Sequence, residues 1–336
     1  MTSSLVGRTL TAVLAVGLAF AGNSTATGLS GPRLGLVFDR AAEDLRPISG
    51  IPGAAVTGDP LSVGFLISRA EISPAQDAAL VVKARGSAVA LVRASGGDWV
   101  TASLDGVQPG PDSMAFSPGG SAAALYYAGS RVLILTGLAA APAIAGDLDV
   151  STLPSPVTAM AINDTGSFAL VAAGQAGSVS LYRIAMNSAP SLVASFRSVS
   201  SVRLFNAGRQ ALVTDTLAST VYQVADPAGA AVTQVVASEN DGIEGLVAAD
   251  TDAAGQRVFA AVGSGTIFIF DLSGGPPTTI DCACTPTGLF RLAGSAAFRL
   301  TELSGGPMRV LDASNAPRMV TVPPPAQAAA LPGGRK

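Results

Sequence analysis

Short apolar runs alternate with polar, glycine-marked turns along this chain, and the alternation returns six times. The copies read ISPAQDAALVV (72–82), FSPGGSAAALYY (116–127), INDTGSFALVAA (162–173), FNAGRQALVTD (205–215), ADTDAAGQRVFAAV (249–262) and FRLAGSAAFRLTE (290–302). Each is an apolar residue, a polar turn and an apolar run that reads as a strand. Their turn positions, Gln76, Gly120, Gly166, Gly208, Gly255 and Gly294, stand 39 to 47 residues apart. That period suits a unit of four short strands better than a helical or leucine-rich repeat. Helical periodicity is absent between the copies, where alternating segments such as SVSLYRI (178–184) and TIFIFDL (266–272) stand instead.

A second landmark is a predicted third strand in every unit: SAVALVRA (87–94), SRVLILTG (130–137), GSVSLYRI (177–184), STVYQVAD (219–226), GTIFIFDL (265–272) and GPMRVLDA (306–313). A seventh copy, PRLGLVFD (32–39), is followed by a fourth-strand candidate, DLRPISG (44–50), but has no first or second strand before it. Six full units and one partial unit predict an all-β fold, a seven-bladed β-propeller. The N-terminal segment is expected to help close the ring by supplying outer strands of the closing blade, which protects the sheet edges. Residues 51–67 are expected to fill the rest of that blade. The resulting map is a signal peptide at 1–21, a linker at 22–31, the propeller at 32–322 and a flexible tail at 323–336.

The third strands ending in IFDL (269–272), VLDA (310–313) and QVAD (223–226) resemble the end of a WD40-type repeat. The turn strings SPGGS (117–121) and NDTGS (163–167) resemble those of WD40-like and YVTN-type bacterial propellers. The resemblance spans roughly residues 32–322 and implies a propeller fold without specifying a function. The chain departs from the WD40 pattern in two ways. Its single tryptophan, Trp99, is not at the WD position, and the histidine of the WD40 structural tetrad is missing. The looser bacterial WD40-like class is therefore the better match.

Composition narrows the chemistry. Apolar residues make up 49% of the 336-residue chain, too many for a disordered polypeptide. The net charge of −3 and the lack of a basic stripe argue against a nucleic-acid partner. The chain has no histidine, which removes Ser-His and Cys-His catalysis and His-ligated metals. Arg8, the apolar run TAVLAVGLAFA (11–21) and the small-x-small Ala19-Phe20-Ala21 read as a secretory signal cleaved before Gly22. The run is short for a bilayer span. The expected location is the periplasm or the exterior, with no stable membrane span after cleavage.

Candidate chemistry is sparse. Cys282 and Cys284 form Cys-Ala-Cys, for which three readings stand: a disulfide, two buried thiols, or a redox or metal role. In an extended strand residues two apart lie about 6.5–7 Å apart, at the limit of disulfide reach, so a bond needs a turn there. The links entering each first strand carry acids: Asp59, Asp105, Asp112, Glu239, Asp241, Glu244 and Asp281. These links cluster on one face of a propeller, where binding commonly resides. Either the acids are solvated turn residues or they form a rim site for a cation or basic ligand. Asn163, Asp164 and Asn206, in the opposite turns, suit side-chain capping. Trp99 reads as fourth-strand packing. Serines lack a base to activate them, and the glycine-rich strings lack the strand-loop-helix context of a phosphate cradle.

The favoured expectation is a non-enzymatic exported propeller that binds a protein or cell-envelope component and needs no cofactor. The first alternative is a metal-dependent enzyme of the lactonase or lyase kind. Its calcium-type ion would be held by converging rim carboxylates. The second is a structural surface-layer role.

Overall fold

The computed structural model describes residues 31–304 and 306–325; the expected signal peptide at 1–21, most of the expected linker at 22–31 and the tail from residue 326 lie outside them. The sheets are seven in number, each antiparallel and each built from consecutive strands. Blade 1 holds three strands, Arg33–Asp39, Asp44–Ser49 and Val56–Thr57. Blades 2 to 7 hold four each and begin with the inner strands Ile67–Ile72, Ser113–Phe116, Val157–Ile162, Ser201–Phe205, Leu246–Thr251 and Phe290–Arg291. The protein is a seven-bladed β-propeller. Two one-turn 3-10 segments, Asn206–Gly208 and Glu239–Asp241, are the only helical structure among the described residues. No helix among them is long and apolar enough to cross a membrane.

Each repeated motif joins the first and second strands of a blade. At the head of the turn a side-chain oxygen accepts a backbone N–H from the start of the second strand. Ser73 Oγ takes the Ala78 amide at 3.0 Å, Ser117 Oγ the Ala122 amide at 3.0 Å and Asn163 Oδ1 the Phe168 amide at 3.2 Å. Asp252 Oδ1 takes the Gln256 amide at 2.8 Å. This is the turn-capping role expected of short polar side chains. The turn then passes through the left-handed region, which explains the glycine at five of the six copies.

The core is a ring of seven apolar clusters, one in each gap between blades. Leu80, Leu91, Phe116 and Leu125 fill the gap between blades 2 and 3, and Leu170, Leu181, Leu204 and Val213 that between blades 4 and 5. The second-strand residues Leu80, Val82, Leu125, Leu170, Leu212, Val213, Phe259 and Phe298 are all buried. Every strand of a blade's centre packs on both faces. This explains why these strands read as continuous apolar runs. Trp99 lies in the fourth strand of blade 2, partly packed on the core, with the Arg33 guanidinium 4.7 Å from its ring centroid.

The ring closes differently from the sequence expectation. The N-terminal segment does help close the ring, but it adds no outer strand to blade 7: it forms a sheet of its own, in which Arg33–Asp39 is an edge strand lining the channel rather than a third strand. Closure is apolar. Leu34, Val37 and Ile48 pack against Leu292, Met308 and Val310 of blade 7, and Leu36, Leu45 and Leu61 against Ile67, Ala79 and Val81 of blade 2. At the outer rim Thr57 Oγ1 donates to the Pro323 carbonyl at 3.0 Å.

Candidate functional site

The inner strands of all seven blades surround a cavity of about 650 Å³ that opens on the face carrying the first-to-second-strand turns. Ala70, Glu71 and Ile72 all line the cavity at the end of the blade 2 inner strand, and Ala70 and Ile72 also pack on the core between blades 1 and 2. The wall is mostly apolar, with Phe38, Ile72, Phe116, Met160, Val202 and Phe290 among its members.

Polar groups enter this wall in three places. Asp250, buried on blade 6, holds the Arg291 guanidinium of blade 7 at 2.9 Å, and Arg291 also donates to the Thr251 carbonyl. Arg299 is buried over the ring of Phe290, 4.0 Å from its centroid, and pairs with Glu302 at 3.0 Å. Burial lowers the Arg299 pKa from its ordinary value, against the opposing pull of Glu302. The third place holds Glu71 on blade 2 and Arg203 on blade 5, both in the cavity lining but not in hydrogen-bond or ion-pair contact. Burial raises the Glu71 carboxyl above the ordinary glutamate value, and the positive charge of Arg203 pulls it back. Glu71 is half-buried, with part of its surface open to the cavity. Arg40 and Arg203 both line the cavity, and neither has an ion pair or side-chain hydrogen bond among the described residues.

The rim acids stand on the opposite face. Asp105, Asp112, Glu239, Asp241, Glu244 and Asp281 are all exposed. Three of them are engaged by nearby loops: Asp241 and Asp281 serve their own turns, and Asp112 ties the entry link of blade 3 to the turn between its second and third strands. Asp112 Oδ2 accepts the Ala128 amide at 2.7 Å, Asp241 Oδ2 the Ser238 amide at 2.9 Å, and Asp281 Oδ1 the Ala283 amide at 2.7 Å. Among the described residues no group of three or more His, Cys, Asp or Glu side chains is placed to hold a metal ion.

Cys282 and Cys284 are joined in a disulfide. The left-handed backbone at Ala283 folds the link into a turn and brings the two Cα atoms to 5.1 Å. Asn163 and Asp164 hold turns together as expected. Asp164 Oδ1 also accepts the Gly119 amide of the neighbouring blade at 2.6 Å.

Sequence reasoning passed over Glu71, Arg203, Asp250 and Arg291. Their signal was a charged residue within a short inner strand, at positions where blades 3 and 4 carry Met114, Ala115, Met160 and Ala161.

Comparison with solved structures shows the same fold. A functionally unknown protein from Desulfotomaculum acetoxidans aligns with a TM-score of 0.57 at 12% identity, over 87% of this chain and 99% of that one. The propeller domain of Cps50 (Swd1) from Myceliophteria thermophila aligns with a TM-score of 0.51 at 13% identity, over 82% and 94%. A chain of a nidogen/laminin complex aligns with a TM-score of 0.50 at 10% identity, over 79% and 97%. At such identities the likeness concerns the fold alone. No protein-family model matches the chain, and no curated protein sequence does either.

Proposed function

We propose that this protein is an exported, non-enzymatic binding propeller of the WD40-like or YVTN type. It recognises a protein or cell-envelope component through the channel mouth on the turn face. The observation that carries this reading is the cavity of about 650 Å³, to which every blade contributes a wall. A concave, largely apolar pocket with a few polar groups on a rigid frame is the usual form of a binding site. The frame is rigid because turn and blade are stapled to their neighbours, as at Gly119 with Asp164 and at Asp250 with Arg291. The apolar stretch at 11–21 supports delivery to the periplasm or the exterior.

The test compares the parent with Ala75→Arg, which puts a long side chain at an exposed position of the channel mouth, and Glu244→Lys, which reverses a charge on the opposite face. Retention on isolated cell-envelope fractions should fall with the first variant and persist with the second. The reverse result would place recognition on the acidic rim instead.

A further inference from the structure

Four arginines line the cavity, and they divide into two kinds. Arg291 and Arg299 are neutralised in place by Asp250 and Glu302. Arg40 and Arg203 are not: neither guanidinium has a carboxylate within ion-pair distance among the described residues, and both side chains are exposed. They approach from different sides. Arg40 follows the inner strand of blade 1, and Arg203 lies on that of blade 5. The acids that face them are accounted for. Asp250 and Glu302 are paired, Asp252 pairs with Arg257 at 3.1 Å, and Asp164 accepts the Gly119 amide. Glu71 is the one carboxyl left opposite Arg203, and burial disfavours its charged form. Two guanidinium groups therefore lack a carboxylate partner in a space whose walls include Phe38, Ile72, Phe116, Met160, Val202 and Phe290 beside polar side chains such as Ser73, Gln76 and Asn206. A planar guanidinium fork matches the oxygens of a carboxylate or phosphate, and it is the less strongly hydrated of the two basic side chains. An apolar wall rewards a ligand body that leaves water.

We infer that the channel takes an amphipathic oxyanion, a carboxylate or phosphate monoester carried on an apolar body, with its head received by Arg203 and Arg40 and its body against the phenylalanine- and methionine-lined wall. This deepens the binding reading above and rests on the channel mouth being the recognition site. Carboxylate and phosphate heads share the chemistry that the two arginines offer. A free acid and the head of a lipid would both supply it.

The probes are octanoate, octyl phosphate, octanol and inorganic phosphate, titrated calorimetrically into the purified protein and into Arg203→Gln and Arg40→Gln. Neither arginine side chain makes a hydrogen bond that the fold needs, and unchanged circular dichroism would verify that. Octanoate or octyl phosphate should bind about tenfold more tightly than octanol, the margin expected of a charge-assisted contact. Each arginine variant should erase most of that margin and leave octanol unaffected. A preference for octanoate over octyl phosphate points to a free acid, and the opposite preference to a lipid-type head. Inorganic phosphate alone should bind far more weakly than octyl phosphate. If octanol binds as well as the anions in every variant, the cavity remains a binding site and the oxyanion inference fails. If no probe binds, the inference also fails, and envelope retention with Ala75→Arg then decides the broader reading separately.

Discussion

The side-chain carbonyl of Gln76 accepts the backbone N–H of Leu36 at 2.8 Å, and through that bond blade 2 holds the short blade 1 in the ring. The same amide donates to the Arg291 carbonyl of blade 7 at 2.7 Å. One buried side chain thus ties together the three blades around the closure. Gln76 occupies the position that is glycine in the other five turns, and it does so with a φ of +61°. Backbone strain is accepted there in exchange for the two bonds. Gly35 permits the approach, since a Cβ at that position would lie 2.7 Å from the Gln76 oxygen.

Gln76→Gly relaxes the turn but leaves a buried N–H and a carbonyl without partners. Two such groups cost about 2–4 kcal/mol, whereas the relief of strain returns about 1 kcal/mol. The variant should therefore be less stable by about 1–3 kcal/mol in denaturant unfolding. A variant as stable as the parent would show that apolar packing alone closes the ring.

Burial between blades makes a sharper contrast. Leu170 is fully buried between blades 4 and 5, whereas Leu192, on the outer strand of blade 4, is 62% exposed. Leu170→Ala should cost about 2–5 kcal/mol, and Leu192→Ala should stay within about 0.5 kcal/mol. Equal losses at the two positions in denaturant unfolding would contradict the ring of inter-blade cores.

The fold was legible because a strand packed on both faces and a turn through the left-handed region each leave a local signature. Leu170 and Gly166 belong to the same motif, and both behave as the motif implies. The radial place of Arg33–Asp39 was not legible. Inner and third strands are both covered on two sides, so LGLVFD suits either position, and only the pairing partners separate them. The rim acids drew attention because the links carry many of the acids, yet Asp241 and Asp281 serve their own turns and Asp112 braces the next turn of its blade. The groups that meet in the channel lie far apart in sequence. Glu71 and Arg203 each lie in a short strand, and nothing local says that they line one cavity.

Glu71 gives a pH test of that meeting. Its folded pKa is raised above the ordinary 4.5, chiefly by burial. A carboxyl of this kind favours the folded state when protonated, and that contribution is lost as pH climbs from 4.5 through the raised folded value. Arg203, Arg40 and the paired groups Asp250, Arg291, Arg299 and Glu302 also line the cavity, and the comparison with Glu71→Gln separates the Glu71 contribution from theirs. Glu71→Gln mimics the neutral form at every pH. The variant should melt with the parent below pH 4 and above it at neutral pH. A constant offset across the range would mean that Glu71 titrates as a solvated acid.

The exposed rim is tested with calcium. If Asp241, Glu244 and their neighbours converged, a divalent ion would relieve their repulsion and stabilise the folded state by mass action. The geometry favours separate turns. Asp241 is bound to the Ser238 amide, Asp112 to that of Ala128 and Asp281 to that of Ala283, while Glu244 stands exposed. A solvated carboxylate capped by its own turn gains little from an ion. Melting temperatures in millimolar calcium and in chelator should therefore agree within about 2 °C, which for a domain of this size corresponds to under about 1 kcal/mol. A larger calcium-dependent rise that disappears in Glu244→Gln would require the loops to rearrange around the ion. It would also move recognition to the acidic face and favour a metal-dependent propeller enzyme over the binding reading.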